Sequence, residues 1–403
     1  MEKQILHVDV NNAFLSWTAV DMLKKGNKLD IREIPSVIGG DESRRAGIVL
    51  AKSPKAKIFG ISTGETLYQA RMKCAGLQVY PMNYKLYKEQ SNKLYQLLLQ
   101  YTDKIERFSI DECFLDMTDC LLGDTLLNKA YEINRRVKNE FGFTVNVGVA
   151  HNKLLAKMAS DFTKPDRVHT LFEEEIPSKM WPLPVSELFM LGRKTIPKLY
   201  NMKIKTIGQL AQTSKQLLMK KFGKHGVMMW EYANGIDNSE VQYKYEKPKG
   251  IGNSTTLPVD ISNIEELEEA LLALAEQVTY RLRKYNLLAT VVNVQLRNKD
   301  FEDKTHQRKL QVATSSTKDI YLEAKELLHE MYVVGTPIRL IGMRVDNLVE
   351  KNELQLSLFE KEDEQKQEKI DKVIDNLKEK YGYNSITRAG KLHSEEKIKL
   401  KDI

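Results

Sequence analysis

The stretch Phe108-Ser109-Ile110-Asp111-Glu112-Cys113-Phe114-Leu115-Asp116 is the part of this sequence from which its fold and chemistry can be worked out. It predicts a β-hairpin whose turn, residues 109–112, ends in two adjacent carboxylates. A third carboxylate, Asp9, lies near the end of the strand-like run Ile5-Leu6-His7-Val8-Asp9-Val10. Carboxylates flanked by apolar residues lose hydration and repel one another unless a cation lies between them. The sequence therefore predicts a cation site where a strand end and a hairpin turn meet.

Mg²⁺ suits such a site, because this hard cation takes carboxylate, water and phosphate oxygens as ligands. Two of these ions, about 4 Å apart, hold the attacking and leaving oxygens of a phosphoryl displacement. We therefore expect metal-dependent nucleotidyl transfer, with Asp9, Asp111 and Glu112 as the catalytic acids. Taken alone, an Asp-Glu pair is more often an exposed turn, so this interpretation depends on the rest of the chain.

The composition restricts the class of protein. A chain of 403 residues is expected to form roughly two to four domains, and its 42% of hydrophobic residues can build cores. A formal net charge of +7 permits a polyanionic partner without requiring one. The three cysteines, Cys74, Cys113 and Cys120, have no metal-binding spacing and cannot all pair, which fits a reducing cytoplasm.

Targeting signals are not expected. The first residues include acids, and no apolar segment follows a basic start, so we expect no signal peptide. No apolar run approaches the roughly 20 residues that span a bilayer. The sequence is thus expected to belong to a soluble, cytoplasmic protein.

The order of the predicted elements separates two units. Up to about residue 170 the pattern is strand, helix, hairpin, helix, strand and helix, which indicates an α+β sheet domain with its acids at one edge. Short helices with lysine-rich turns follow to residue 236, and residues 237–250 lack periodicity and are interpreted as a linker. Residues 251–349 are predicted to fold as strand, helix, strand, strand, helix and strand, and a charged helix is predicted for residues 362–380.

Four segments of the chain belong together in this interpretation: Val10-Asn11-Asn12-Ala13-Phe14, Ser109-Ile110-Asp111-Glu112, Ala150-His151-Asn152-Lys153 and Ala159-Ser160-Asp161-Phe162-Thr163-Lys164-Pro165. Together they resemble the Y-family DNA polymerases, the enzymes of translesion synthesis. The resemblance covers residues 4–350 and implies a right-hand-like polymerase of the α+β class, with palm, fingers, helical thumb and a ferredoxin-like β-α-β-β-α-β little finger. The implied bounds are palm 1–20 and 80–170, fingers 21–79, thumb 171–236, linker 237–250, little finger 251–350 and tail 351–403.

The resemblance implies roles for the residues around the acids. Asp9, Asp111 and Glu112 match the family's metal ligands, and the backbone carbonyl of Val10 completes a metal shell, so two Mg²⁺ ions are expected per active site. Phe14 matches the family's steric gate. Its ring offers a 2′-hydroxyl no partner and little room, which favours deoxynucleotides. Without the resemblance, Phe14 would be interpreted as a core aromatic residue.

The expected triphosphate contacts include a departure from the family pattern. Lys164 matches the lysine that contacts the incoming triphosphate. In the fingers the family often has a tyrosine and an arginine three residues apart, where this chain has Pro54 and Lys57. Proline has no donor, and lysine is a point charge rather than a bidentate fork. We expect Lys57 to contact the phosphates, and Ser53 and Lys52 to compensate for the two departures from the pattern.

The expected DNA contacts are basic residues in two parts of the chain. Residues 172–236 match the thumb, which holds DNA phosphates in a manner that is independent of sequence and sensitive to salt. The candidate contacts there are Lys194, Lys198, Lys221 and Lys224, with a solvated surface as the alternative for each. In the little finger, acidic residues are concentrated in the first turns of the long helix, whereas Arg297 and Arg308 lie on or near the paired strands. We therefore expect the sheet, not the helices, to face DNA.

Gln355-Leu356-Ser357-Leu358-Phe359 is similar to the peptide that binds the bacterial sliding clamp. The expected clamp contacts are Gln355, Leu356, Leu358 and Phe359. An apolar anchor without neighbours to pack on suits a hydrophobic pocket on a partner, and local packing on the little finger is the alternative. For the helix that follows, partner binding and docking onto the body are both open.

The resemblance implies a template-directed DNA polymerase that performs translesion synthesis with low fidelity and without proofreading. Its partners would be primer–template DNA, deoxynucleoside triphosphates and the bacterial sliding clamp, and it would act as a monomer. Two alternatives remain, namely another two-metal enzyme such as a cyclase with a palm-like sheet, and a catalytically weak accessory protein that binds DNA and the clamp. The basic thumb segment argues against the first, and Pro54 keeps the second open.

Overall fold

The structure is a computed structural model that describes residues 2–121, 123–244, 247–351, 362–382 and 385–386. The chain divides into two compact units, of which the first comprises residues 1–40 and 48–245 and the second residues 41–47 and 246–403. Helices and sheets occur in both units, which confirms the predicted α+β class. None of the helices in the described ranges is long and apolar enough to cross a membrane.

Short strands and helices follow one another along the first unit. Its strands are β1 (Ile5–Val10), β2 (Ser36–Gly39), β3 (Val49–Lys52), β4 (Gln78–Pro81), β5 (Ile105–Arg107), β6 (Glu112–Asp116), β7 (Val145–Ala150) and β8 (Val168–Thr170). Its helices are α1 (Ala13–Lys24), α2 (Pro54–Ile58), α3 (Leu67–Lys73), α4 (Tyr84–Leu98), α5 (Leu126–Phe141), α6 (Lys153–Asp161), α7 (Ile196–Asn201), α8 (Ile207–Ala211), α9 (Lys215–Phe222) and α10 (Lys224–Ala233). β5 and β6 form the predicted hairpin, but its turn comprises residues 108–111 rather than 109–112, because Glu112 already pairs as the first residue of β6.

β1 is the central strand of a sheet with the order β5-β6-β1-β7-β8, and it runs antiparallel to both β6 and β7. Every residue of β1 is buried, because α4 and α5 cover one face of the sheet and α6 covers the other. Side chains alternate between the two faces of a strand. Leu6 and Val8 therefore pack with α4 and α5, whereas Asp9 lies on the face that α6 covers.

α6 lies so close to β7 that position 148 requires glycine. A Cβ atom on Gly148 would lie 1.9 Å from the carbonyl oxygen of Ala156 and 2.7 Å from the amide nitrogen of Ser160, both on α6. The helix begins after Asn152, whose side chain accepts a hydrogen bond from a backbone amide of the first turn. This close packing brings Lys157, on the second turn of α6, to the end of β1 that carries Asp9.

A second, smaller sheet of the first unit has the order β3-β2-β4. α2 follows β3 directly and begins at Pro54, with Ser53 as its N-cap. Proline is favoured at the first position of a helix, where its missing N–H would have no intrahelical partner and its fixed φ suits the helix. Pro54 is therefore well placed to start α2.

The predicted linker, residues 237–250, packs onto the first unit over its first half. Val241 is buried, and the backbone N–H of Gln242 donates to Glu106 at 2.7 Å. Asp237 accepts a hydrogen bond from the backbone N–H of Leu154 near the start of α6. These contacts anchor the part of the predicted linker up to residue 242 on the sheet and on α6.

The second unit has the predicted order of elements. Its strands are β9 (Gly250–Ile261), β10 (Leu287–Asn298), β11 (Asp303–Thr314), β12 (Ile338–Asp346) and β13 (Val349–Glu350), and its helices are α11 (Ile264–Lys284), α12 (Thr317–Met331) and α13 (Glu362–Tyr381). The main sheet has the order β11-β10-β12-β9 with antiparallel pairs, and α11 and α12 pack on one face of it. The acidic first turn of α11 complements the helix dipole, as its sequence predicts.

α13 docks onto the second unit through its polar side chains. Asp371 accepts a hydrogen bond from the backbone N–H of Thr317 at 3.1 Å, and so supplies an acceptor at the start of α12. Asp375 pairs with Arg283 of α11 at 2.6 Å. Of the two alternatives for this helix, docking onto the body is therefore observed, while the apolar side chain of Val373 stays exposed.

Replacing Gly148 by Ala is predicted to lower the free energy of unfolding by at least about 2 kcal/mol, because the new Cβ cannot coexist with the backbone of α6. Denaturant unfolding measures the change. Gly76→Ala is the matched control, since a Cβ there meets nothing within 4 Å and its change is expected to stay within about 0.5 kcal/mol. Equal effects of the two variants would contradict the tight packing of α6 on β7.

Candidate active site

Asp9 and Glu112 lie directly opposite each other, because the register of β1 and β6 aligns them. Asp9 is buried and Glu112 is half-buried. Asp111 immediately precedes β6, and its carbonyl oxygen accepts a hydrogen bond from the backbone N–H of Val10 at 3.1 Å. Its carboxylate accepts another from the hydroxyl of Ser109 at 2.6 Å. Strand pairing thus places the predicted acids and Val10 together at one end of the sheet.

The carboxylates of Asp9 and Glu112 converge on the ammonium group of Lys157. Its Nζ atom lies 3.2 Å from Asp9 Oδ2 and 2.9 Å from Glu112 Oε1, and Asp161 is a third carboxylate at 3.1 Å. Lys164 Nζ contacts the same Asp9 oxygen at 2.8 Å. Only 9% of the Lys157 side chain is exposed, so these groups form a buried ionic cluster rather than a surface pair.

Lys157 is a site residue that the motifs did not single out. Its neighbours Leu154, Leu155 and Met158 are buried apolar residues, so α6 resembles an ordinary core helix in sequence. One signal was present in the sequence, namely a lysine among the apolar residues of a core-like helix. A lysine is almost never fully buried without an acidic partner. The predicted carboxylates lacked a cationic partner from the protein, and Lys157 provides it.

Burial has the largest effect on the electrostatics of this cluster. It raises the pKa of Glu112 to about 7, with Lys157 acting to lower the value and Asp9 to raise it. Burial alone would lower the pKa of Lys157, but Asp9, Asp161 and Glu112 raise it above its ordinary value. Lys157 is therefore charged at neutral pH, and a further cation near Glu112 would favour the ionised carboxylate.

The oxygen atoms of Asp9 and Glu112 fit a hard divalent cation, because carboxylates are its preferred ligands and these two already face one cationic group. In the part of the chain that the structure describes, no group of three or more histidine, cysteine or carboxylate side chains is arranged to hold a metal ion. The carboxylate of Asp111 is hydrogen-bonded to Ser109 instead.

His7 fixes the helical turn that carries Lys157. The Nδ1 atom of His7 lies 2.8 Å from the hydroxyl of Ser160, and that hydroxyl donates its own hydrogen to the carbonyl oxygen of Lys157. Nδ1 is therefore the donor, and Nε2 carries a lone pair. Nε2 is buried without a hydrogen-bond partner and lies 3.9 Å from Glu112 Oε2. Burial, followed by the charges of Lys157 and Lys164, lowers the pKa of His7 well below 6.5, so the ring is neutral.

Phe14 lies in the first turn of α1, five residues after Asp9. The left-handed conformation of Asn12, with φ at 48°, turns the chain between β1 and this helix. The ring of Phe14 stacks on Tyr87 with centroids 4.5 Å apart and an interplanar angle of 6°. The ring is half-buried and held in one orientation by this stacking.

Comparison with known proteins places the chain in a family. The model of the impB/mucB/samB family matches residues 8–161, and that of its C-terminal domain matches residues 248–358. The chain is 48% identical to a DNA polymerase IV of Clostridium acetobutylicum over 397 residues, covering 98% of this chain and 100% of the relative. The chain belongs to the impB/mucB/samB family, that of the Y-family DNA polymerases.

Two further matches agree with this Y-family assignment. A DNA polymerase IV of Acetivibrio thermocellus is 38% identical over 394 residues, covering 96% of this chain and 97% of the relative. A solved Y-family DNA polymerase chimera shows the same fold, with a TM-score of 0.75 and 24% identity, covering 86% of this chain and 100% of that one. The family and fold class predicted from the sequence are confirmed.

In the fingers segment of this Y-family chain, the structure corrects the expectation for Ser53. Its side chain is fully buried, and its hydroxyl accepts hydrogen bonds from the backbone of Ala56 and Ser36 and donates one to Ile34. It is therefore the N-cap of α2 and has no capacity left for a triphosphate. Lys57 is exposed on the same helix.

The predicted thumb lysines all lie on the surface: Lys194, Lys198, Lys221 and Lys224 are exposed. Lys221 and Lys224 flank the turn at Gly223, where α9 ends and α10 begins. Backbone N–H groups at the start of a helix attract anions, so this turn combines two features that bind phosphate.

The two predicted arginines of the second unit lie on opposite faces of its sheet. Arg297 is on the open face and pairs with Asp303 at 2.7 Å. Arg308 shares its face with the buried Leu310, two residues further along β11. It is held there by three glutamates of α12: Glu323, Glu326 and Glu330. The expectation that Arg308 faces DNA with the open sheet is therefore corrected.

The predicted clamp contacts Gln355, Leu356, Leu358 and Phe359 lie outside the described residues. The elements that flank them are described. β13 pairs with β10 before the peptide, and α13 docks on α11 and α12 after it. The clamp interaction thus stays a prediction from the sequence.

His7 is predicted to make the stability of this polymerase sensitive to acid. The unfolded chain binds a proton at His7 near pH 6.5 and the folded chain does not, so this stabilisation is present above pH 6.5 and is lost as the pH falls. Relative to His7→Asn, which keeps a donor for Ser160, the wild type should lose unfolding free energy progressively as the pH falls below 6.5. Urea unfolding across this pH range measures the difference, and a constant difference between the two proteins would exclude a neutral, buried His7.

Proposed function

We propose that this chain is a translesion DNA polymerase that works by two-metal nucleotidyl transfer with Mg²⁺. As a member of its family it is a DNA-directed DNA polymerase. The proposed ligands of the two ions are Asp9, Asp111, Glu112 and the backbone carbonyl of Val10. One observation carries this proposal: Asp9 and Glu112, on two paired strands, point their oxygens at one buried cationic group.

The two ions, when bound, supply the positive charge that activates the primer 3′-hydroxyl and stabilises the leaving pyrophosphate. The protein fixes the positions of the acids, because the register of β1 and β6 sets Asp9 opposite Glu112. Asp9 is only 5% exposed, and such a water-poor site strengthens every electrostatic interaction within it. Catalysis would thus depend on positioning and electrostatics.

The nucleotide contacts are proposed for residues next to this site. The ammonium group of Lys164 forms ion pairs with Asp9 and Asp161. Because 36% of the Lys164 side chain is exposed, its charge is also accessible to a triphosphate. Lys57 would add a second point charge from α2. Phe14, held by its stacking on Tyr87, would exclude a 2′-hydroxyl.

The proposed DNA contacts are the exposed lysines of the thumb segment, namely Lys194, Lys198, Lys221 and Lys224, and Arg297 on the open sheet of the second unit. Arg308 is not among them, because three glutamates hold it on the other face. The peptide at residues 355–359 would bind the bacterial sliding clamp. We propose that the enzyme acts as a monomer in the cytoplasm.

Glu112→Ala is predicted to reduce primer extension with Mg²⁺ and deoxynucleotides by roughly a thousandfold, because it removes one of two converging ligands of the metal site. Glu140→Ala, which removes an exposed glutamate paired with Arg136 on α5, should extend primers like the wild type. Extension on an undamaged template is the assay, with primer–template binding measured in parallel. Full extension by Glu112→Ala would refute the metal site, and DNA binding without extension by the wild type would point to an accessory protein.

Phe14→Ala is predicted to raise the efficiency of ribonucleotide insertion relative to deoxynucleotide insertion by about a hundredfold, because the ring no longer fills the space below the sugar. The control is Tyr87→Phe, which keeps the stacking partner of Phe14 and removes only the hydroxyl that contacts Thr18. Steady-state kcat/KM for matched ribonucleotide and deoxynucleotide pairs measures the ratio. An unchanged ratio in Phe14→Ala would remove Phe14 from the nucleotide site.

A further inference from the structure

Lys157 occupies the position in which the cation of the acid cluster is expected. Its ammonium lies within 3.2 Å of one oxygen each of Asp9 and Glu112, the two carboxylates that face each other across β1 and β6. Asp161, one turn further along α6, is its third carboxylate partner. The protein thus provides its own positive charge at this point of the sheet.

The position of Lys157 is built into the fold. α6 can approach β7 closely because Gly148 has no side chain, and the His7–Ser160 hydrogen bond ties the same helical turn to β1. The lysine side chain is 9% exposed, so its contacts with the acids are screened little by solvent. Removing one partner of a buried ionic group leaves an uncompensated charge and is strongly destabilising. Lys157 therefore offsets the repulsion between Asp9 and Glu112.

The same oxygens are the proposed metal ligands, which creates a competition. Glu112 Oε1 accepts a hydrogen bond from Lys157, and Asp9 Oδ2 accepts hydrogen bonds from both Lys157 and Lys164. An oxygen atom that an ammonium group holds at hydrogen-bond distance is a poorer ligand for a second cation, because the two positive charges repel each other at close range. The side chain of Asp161 is 44% exposed and offers Lys157 a partner away from the sheet.

We propose that Lys157 is a resident counter-ion of the acid cluster and that a divalent metal ion binds by displacing its ammonium from Asp9 and Glu112. This inference rests on the metal ligands proposed above. Before a metal ion binds, Lys157 stabilises the two carboxylates, and during binding it moves onto Asp161 without leaving a charge unpaired. The lysine thereby raises the metal concentration that the site requires.

The test compares Lys157→Met with wild type in the full chain, without DNA or nucleotide, by measuring Mn²⁺ affinity with electron paramagnetic resonance. Lys157→Met should bind Mn²⁺ at least about tenfold more tightly, because the charge that competes for Glu112 Oε1, and one of the two that compete for Asp9 Oδ2, is gone. It should melt at a lower temperature than wild type without Mn²⁺ and gain more on Mn²⁺ addition. Lys153→Met is the matched control: Lys153 lies on the same helix in a similarly buried pair with Glu106, and its loss should leave Mn²⁺ affinity unchanged.

Unchanged or weaker Mn²⁺ binding by Lys157→Met would overturn the inference and leave Lys157 as a purely structural residue. If this variant does not fold, Lys157→Arg decides, because its bidentate and permanently charged group should hold the acids more firmly and weaken Mn²⁺ binding severalfold. Equal or tighter binding by Lys157→Arg would overturn the inference. Glu112→Ala separates the two proposals, since Mn²⁺ binding that survives this change refutes the metal ligands themselves rather than the displacement of Lys157.

Discussion

Carboxylates at one end of a covered sheet lose hydration and repel one another, and this constraint shapes the structure around Asp9 and Glu112. β1 is covered on both faces, so water cannot solvate Asp9 fully. The compensating charge comes from Lys157, which reaches the acids because Gly148 lets α6 lie against β7. The register of the strands and the close packing of α6 at Gly148 thus bring one positive charge to two buried carboxylates. The oxygen atoms that converge there also suit a divalent cation.

Residues 53 and 54 serve the start of a helix. Pro54 starts α2 and Ser53 caps it, so both residues are committed to the helix. The two cations proposed to contact the triphosphate, Lys57 on α2 and Lys164 beside Asp9, are both lysines. A lysine is a compact, strongly hydrated point charge that lacks the bidentate geometry of arginine. Triphosphate binding in this chain would therefore depend more on charge and ionic strength, and less on fixed hydrogen-bond geometry, than in relatives with a tyrosine and an arginine there.

Local signals in the sequence were sufficient for the elements and their order. The hairpin, with its turn displaced by one residue, and the strand–helix order of the second unit were predicted because apolar periodicity and turn residues specify them locally. The face on which a side chain lies depends on tertiary packing, which explains the error for Arg308: only the folded sheet shows that it shares a face with Leu310. The prediction that Ser53 contacts the triphosphate was wrong because its hydroxyl is already hydrogen-bonded as the N-cap of α2. Lys157 was missed because its partners, Asp9 and Glu112, are far away in sequence.

In the proposed mechanism, Asp9 and Glu112 form a cation site in which a metal ion takes the place of Lys157. Anomalous diffraction from crystals of the full chain grown with Mn²⁺, primer–template DNA and a non-hydrolysable deoxynucleotide tests it most directly. We expect an anomalous peak at coordination distance from both carboxylates, with Lys157 Nζ moved out of hydrogen-bond distance of them. A peak elsewhere, or Mn²⁺ bound while Lys157 still contacts both acids, would contradict it.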